Sequence, residues 1–143
     1  MENQKHHMTI PAVIEKIEDA CEFVNTQARA IGLGEDAVYH CHLSVEEVLT
    51  NVIEHGYNYD GSNKVVEIVT EKTQEFFIIT IIDDAPQFDP LQQPSPDPST
   101  PLWEREGGGW GIVFVKKYMD NLAYNYEGDR NHFVMEKQLT TSD

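Results

Sequence analysis

The sequence has few basic residues. It contains 10 Lys and Arg against 25 Asp and Glu, which gives a formal net charge of -15 at pH 7. So acidic a surface repels nucleic acids and anionic membranes, and we expect neither as a partner. The charge favours a protein partner with basic patches instead.

Long apolar runs and paired cysteines are also missing. No stretch approaches the roughly 20 apolar residues that cross a membrane, and residues 1–7 lack the apolar core of a secretory signal. We therefore expect a cytoplasmic protein. The two cysteines, Cys21 and Cys41, follow no metal-binding or redox spacing, and we expect both to be buried small side chains.

The length and apolar content predict a single domain over residues 1–143, because 143 residues with 40% apolar content suit one core. Helical spacing and β-branched runs predict the elements. In chain order they are a short strand at about 6–10, helices over 14–31 and 34–56, strands over 64–71 and 75–82, a helix over 112–119, and a hairpin of strands over 122–126 and 133–139. Two helices follow each other without a strand between them. This order favours an α+β two-layer sandwich, with a mixed, mostly antiparallel sheet and helices on one face, over a doubly wound fold.

The prolines are concentrated in one segment. Six of the seven lie between Pro86 and Pro101, where their fixed φ and missing N–H exclude regular structure. Long extended loops of this kind often act as lids. We predict a lid at about 86–106.

A polar stripe on the second predicted helix suggests chemistry. Glu47, Asn51 and His55 are four residues apart, so each lies about 40° from the next around the helix. The adjoining arc is apolar and consists of Val45, Val48, Leu49, Val52 and Ile53. A carboxylate one turn from a carboxamide suits a general base beside a neutral oxygen ligand for Mg²⁺. Neighbouring Glu46 is a rival base, but it lies about 100° away, and we interpret it as solvated.

A glycine cluster, Gly107 to Gly111 around Trp110, precedes the third predicted helix. Glycines let backbone N–H groups approach phosphate oxygens, and the start of a helix adds partial positive charge. An acidic chain would depend on such donors and on a metal ion to hold phosphates. Taken alone, the cluster is equally compatible with a plain loop.

Two carboxylates end the predicted strand over 75–82. Asp83 and Asp84 open the segment 83–90, which reads Asp-Asp-Ala-Pro-Gln-Phe-Asp-Pro. An acceptor at this point suits the exocyclic amine of adenine. A polar strand end or the start of a turn is the alternative for this segment alone.

In this order the three segments resemble the sequence boxes of the GHKL superfamily, the gyrase, histidine-kinase and MutL type ATPases. Residues 44–56 resemble its N box, residues 83–90 its first glycine box, and residues 108–120 its second. Within the superfamily, the chain most resembles the small anti-sigma-factor serine kinases over nearly its whole length. The resemblance implies the Bergerat type of ATPase fold, with ATP or ADP and Mg²⁺ as cofactors.

The resemblance also implies roles by position. Glu47 resembles the general base that takes a proton from the substrate hydroxyl, and Asn51 resembles the Mg²⁺ ligand. His55 and Gly56 close the same box. Asp83 resembles the carboxylate that reads adenine.

Further nucleotide-binding positions follow from the two glycine boxes. They are Ala85, Phe88, Gly108, Gly109 and Gly111. Ala85 stands where the superfamily commonly has glycine. Because Pro86 favours extended geometry at the preceding residue, we expect alanine to be tolerated there. Arg105 is either a contact for a terminal phosphate or a solvated side chain, and for Trp110 we favour packing in the core or against the lid.

The implied function is an anti-sigma factor that phosphorylates a serine on an anti-anti-sigma protein of the STAS type and sequesters a sigma factor, as a homodimer. One alternative is a catalytically silent module that binds nucleotide and only sequesters its partner. Another is the catalytic subunit of a split histidine kinase, which would need a separate chain carrying the phosphoacceptor histidine.

Overall fold

A five-stranded sheet forms one layer of the structure. The computed structural model describes residues 5–58, 60–61, 63–92 and 110–139. The strands are β1 (Lys5–Pro11), β2 (Val65–Lys72), β3 (Phe76–Asp83), β4 (Asn121–Glu127) and β5 (Arg130–Gln138). Their order in the sheet is β1-β2-β3-β5-β4. This order places β3 in the centre, between β2 and β5.

Every strand pairing in the described part of the chain is antiparallel. The expectation of a mixed sheet is therefore wrong in that detail, whereas the α+β class is confirmed. The physical reason lies in the two helices between β1 and β2. They return the chain to the end of the sheet that it left, where Pro11 pairs with Val65.

Within the described ranges, three helices form the second layer: α1 (Ile17–Ala30), α2 (Glu35–Asn51) and α3 (Trp110–Tyr118). A 3₁₀ turn over Ile14–Lys16 precedes α1, at the residues where the sequence predicts the helix to begin. Gly32 follows α1 with a φ of 90°, a conformation that glycine adopts without a Cβ clash. None of these described helices is long and apolar enough to cross a membrane.

The core lies between the two layers. Alternate residues of the strands face the helices, as the two-residue period of a strand requires. Phe77, Ile79 and Ile81 of β3 are 0–1% exposed and belong to one apolar cluster with Leu49 of α2 and Val115 of α3. Burying each such side chain contributes about 1.5–3 kcal/mol, so this cluster is what holds the helices on the sheet.

The cysteines are part of this core. Cys21 and Cys41 are buried and unpaired, as the sequence predicts. Burial raises the pKa of each thiol to about 12. Both are therefore protonated and unreactive at neutral pH.

The second helix changes geometry at its end. The sequence predicts one helix to Gly56, whereas α2 ends at Asn51 and a π turn covers Val52–Gly56. Single π turns of this kind are frequent at functional sites. Tyr57 follows the turn, and its buried hydroxyl accepts a hydrogen bond from the Asp84 N–H at 2.7 Å and donates one to the Val65 carbonyl at 3.2 Å. The end of the helix is thereby connected to the start of β2 and the end of β3.

We expect Gly61→Ala to destabilise the protein by about 1–3 kcal/mol, the usual cost of overpacking. A Cβ at Gly61 would collide with the Ala12 carbonyl oxygen and lie 2.8 Å from the Ala12 Cβ. Gly34→Ala is the matched control, because a methyl group there meets no atom within 4 Å and loses only the capping preference of glycine, about 0.5 kcal/mol. Urea unfolding of both variants checks this, and equal losses would contradict the packing described.

Candidate functional site

A cavity of about 470 Å³ opens at one end of the sheet. Its walls come from the end of α2 and the π turn, the segment after β3, the first turns of α3, and β4 and β5. The described residues that line it are Val48, Asn51, Val52, His55, Gly56, Asp83, Ala85, Pro86, Gln87, Phe88, Pro90, Ile112, Val113, Lys116, Tyr124, Asn131 and Phe133. Six of the residues that the sequence singles out, Asn51, His55, Gly56, Asp83, Ala85 and Phe88, are thus brought together on one cavity.

The end of α2 and the π turn contribute two features to the cavity. One is the carboxamide of Asn51, and the other is the close contact of the Gly56 backbone with Ala85. Asn51 is half-buried, and its side chain makes no hydrogen bond within the described ranges. Its amide oxygen is therefore available to a ligand. Gly56 lies against Ala85, where a Cβ on Gly56 would be 3.1 Å from the Ala85 Cβ. The methyl group of Ala85 fits because Gly56 has none.

Asp83 supplies a buried carboxylate at the floor of the cavity. It is the last residue of β3 and is 5% exposed. Its Oδ1 accepts hydrogen bonds from the Ala85 N–H and from Asn131 Nδ2, both at 2.9 Å. No donor in the part of the chain that the structure describes reaches Oδ2. Burial raises the pKa of Asp83 above its usual range, and the two hydrogen bonds oppose that rise.

Asn131 is a site residue that the sequence did not reveal. It is the partner of Asp83 in the β3–β5 pairing and is 6% exposed. Besides Asp83, its Nδ2 donates to the Ala85 carbonyl at 3.0 Å, and its Oδ1 accepts from the Phe88 N–H at 3.1 Å and from the Tyr124 hydroxyl. One amide therefore fixes the carboxylate and the segment that follows it. The pairing of β5 with β3 is non-local, and the strand predicted over 133–139 begins after Asn131, so no local signal placed it opposite Asp83.

The remaining walls are largely apolar. Val48, Ile112 and Phe133 line the same cavity as Asp83, and apolar walls suit the flat face of a heterocyclic base. Phe88 is 53% exposed at the edge. Lys116 of α3, a second residue that the sequence analysis did not single out, is the one lysine or arginine among the described lining residues. It offers a cation to a negatively charged ligand.

Glu47 lies beside the cavity and not on its wall. Val48 and Asn51 line the cavity, and Glu47, one residue before Val48 and one turn before Asn51, is half-buried. Burial raises the pKa of the Glu47 carboxyl, and the charges of Glu46 and Glu54 raise it further. Glu46 is exposed, as expected from its position on the helix.

Part of the predicted phosphate site lies outside the described residues. This concerns Arg105, Gly108, Gly109 and most of the proline-rich segment predicted as a lid, which the structure describes only as far as residue 92. Gly111 belongs to the first turn of α3, whose next residues, Ile112 and Val113, line the cavity. The start of α3 therefore lies near the cavity, as a phosphate-binding helix requires.

Comparison with known proteins decides the family. The sequence model of the histidine kinase-like ATPase domain matches residues 10–137. The chain belongs to this family. An anti-sigma F factor of Clostridium perfringens is 31% identical over 99 residues, which cover 68% of this chain and 70% of that protein. The serine/threonine-protein kinase BtrW of Bordetella bronchiseptica is 25% identical over 93 residues, 65% of each chain. The predicted membership in the anti-sigma kinase group of this ATPase family is thereby confirmed.

The fold of the ATPase domain is confirmed by a solved structure. It contains the RsbU and RsbW domains of a Mycobacterium tuberculosis protein and superposes with a TM-score of 0.64 at 15% identity. The match covers 97% of this chain and 33% of that one. Nucleotide binding is the property that the family carries. The cavity fits it, because its lining includes an unpaired carboxylate oxygen that suits an adenine amine, apolar side chains that suit the ring, and the free carboxamide of Asn51.

We expect Asp83→Asn to weaken ATP binding by at least about tenfold, the effect of losing a hydrogen bond to a charged group. The amide can still accept from Asn131 and Ala85, so the fold is retained. Its NH₂ group would replace Oδ2, however, and turn a donor toward the adenine amine. Calorimetric titration with ATP measures the loss.

Asp84→Asn is the matched control for that change. Asp84 is exposed, does not line the cavity, and forms an ion pair with Arg130 at 2.9 Å. The affinity of the Asp84→Asn variant for ATP should stay within twofold of that of the unsubstituted chain. The adenine assignment is wrong if the two variants bind ATP alike.

Proposed function

We propose that the protein is an anti-sigma factor with ATP-dependent protein serine kinase activity. It transfers the terminal phosphoryl group of ATP to a serine of an anti-anti-sigma STAS protein and sequesters a sigma factor. The observation that carries this proposal is the position of Glu47. Glu47 is half-buried one helical turn before Asn51, which lines the cavity, and burial raises the pKa of its carboxyl.

Each residue has a defined task in this proposal. Asp83 would hold the adenine amine, and Asn51 would hold Mg²⁺, which neutralises charge on the phosphates when bound. A single protein ligand is sufficient, because Mg²⁺ usually keeps several waters and phosphate oxygens. Glu47 would take the proton of the serine hydroxyl, and its raised pKa makes it a stronger base than an exposed glutamate.

The names of the relatives support the two partner classes, because one is an anti-sigma F factor and another a serine/threonine-protein kinase. A sigma-factor partner implies a cytoplasmic location, and we propose that the protein acts there as a homodimer. Residues 1–143 would form one ATPase domain with a lid at about 86–106. Arg105, Gly108, Gly109 and Gly111 would contact the phosphates.

One observation favours a second function. Since Glu47 does not line the cavity, the protein is also compatible with a module that binds nucleotide and sequesters its partner without phosphate transfer. The two functions differ only in turnover. Incubation with γ-labelled ATP, Mg²⁺ and the purified anti-anti-sigma domain separates them, because the kinase labels a serine of that domain and the module leaves it unlabelled with nucleotide still bound.

Glu47→Gln should reduce the rate of phosphate transfer by about 10²–10⁴, the usual contribution of a general base. The affinity for ATP should stay within twofold, because Glu47 does not line the cavity. Single-turnover transfer and ATP titration measure the two quantities. Glu46→Gln is the control and should transfer phosphate at the normal rate at neutral pH when the protein substrate is saturating. Normal transfer by Glu47→Gln would remove Glu47 as the base.

The pH dependence of transfer follows from the same group. A base must be deprotonated, so the rate falls when the pH drops through the pKa of Glu47. Because that pKa is raised, the fall begins at a higher pH than for an ordinary glutamate, whose pKa is about 4.3. Glu46→Gln removes one of the charges that raise the pKa of Glu47. The midpoint of the fall in rate should therefore move to lower pH in this variant. Rates at saturating ATP check this, and an unmoved midpoint would contradict the assignment.

A further inference from the structure

Helices α2 and α3 pack antiparallel. The last turn of α2 and the first turn of α3 meet at the cavity, which Asn51 and Ile112 both line. At the opposite end of the pair, the ring of His40 stacks on Tyr118, with centroids 4.8 Å apart and planes 17° from parallel. Lys137 of β5 holds that end, since its Nζ donates to the Tyr118 carbonyl at 2.6 Å and lies 3.2 Å from His40 Nδ1.

We call the line of contact between α2 and α3, along which His40 and Tyr118 stack, the seam. Helical geometry then places Glu47 and Phe114 on it. Glu47 follows His40 by seven residues and returns to within about 20° of its direction, and Phe114 precedes Tyr118 by four residues and lies within about 40° of its direction. From the stacked rings, Glu47 is about 10 Å and Phe114 about 6 Å toward the cavity end. With helix axes 8–10 Å apart, the two residues are roughly 10 Å from each other.

Phe114 is an unusual residue for this position, because its side chain is 47% exposed. Its neighbours Ile112 and Val115 on the same short helix are buried at 7% and 0%. Nothing in the described fold requires an aromatic ring at this point of the surface. An exposed aromatic side chain beside a catalytic group is typical of a protein contact.

The charge around the seam is divided between the two helices. Glu46 is exposed and Glu54 half-buried on the side of Glu47, and both charges act on its carboxyl. Lys117 is exposed on α3, about 60° round the helix from Phe114. A segment that lies across the seam therefore fits best when it is basic at the α2 side and acidic at the α3 side.

We propose that Phe114 and Glu47 bound the docking surface for the protein substrate, an inference that rests on the proposed function. The acceptor serine lies at Glu47, with a basic side chain beside it facing Glu46 and Glu54. An apolar side chain of the substrate packs on Phe114. Since an extended chain advances about 3.3 Å per residue, the apolar residue is about three positions from the serine.

The test compares Phe114→Ser with Ile14→Ser in the full chain, with the anti-anti-sigma domain as the substrate. Ile14 is likewise exposed, at 41%, but it precedes α1 and does not line the cavity. We expect Phe114→Ser to raise the KM for the protein substrate about tenfold, the loss typical of one interface aromatic. The ATP affinity and the melting temperature should not change, and Phe114→Leu should restore most of the affinity. Ile14→Ser should leave KM unchanged.

The outcomes separate this inference from the proposed function. No transfer by the unsubstituted chain overturns the proposed function and the inference with it. Normal transfer with an unchanged KM in Phe114→Ser overturns only the docking surface. An equal rise in KM for Ile14→Ser also overturns it, because the effect would then not belong to the seam.

Discussion

A buried carboxylate at the end of the central strand is the constraint on which the site depends. Asp83 sits at the floor of a largely apolar cavity, and one of its oxygens receives two hydrogen bonds while the other has no donor among the described residues. A buried charge is costly unless it is paired or hydrogen-bonded. The hydrogen bond from Asn131 offsets part of that cost. A hydrogen bond from a ligand amine would offset the rest, so the carboxylate favours a ligand with a donor group.

The surrounding segments are arranged by the same polar groups. Asn131 holds the backbone of Ala85 and Phe88, and Tyr57 connects the π turn to the end of β3. The close contact between Gly56 and Ala85 joins the π turn to the segment after β3 in the wall of the cavity. The shape of the cavity around Asp83 is therefore set by hydrogen bonds. The proposed transfer of phosphate depends on the position of one carboxylate, that of Glu47, beside the cavity.

The sequence predicts the elements well because their signals are local. Apolar periodicity located the strands to within about two residues at most ends, and the order of strands and helices is confirmed. The stripe at Asn51 and His55 was found for the same reason. The sequence did not predict the roles of Asn131 and Tyr57, because these depend on hydrogen bonds to residues distant in the chain, Asp83 and Asp84. The sequence did not predict the π turn either, because its residues, including Val52 and Ile53, keep the apolar spacing of a helix.

The central claim is that Asp83 reads the amine of adenine, and deletion of that amine tests it most directly. The affinity of the protein for ATP is compared with that for purine riboside triphosphate, which lacks only the 6-amino group. We predict that the unsubstituted chain binds the analogue at least about tenfold more weakly, and that this difference disappears in Asp83→Asn. The same loss in both proteins would show that the amine is recognised elsewhere and would contradict the account.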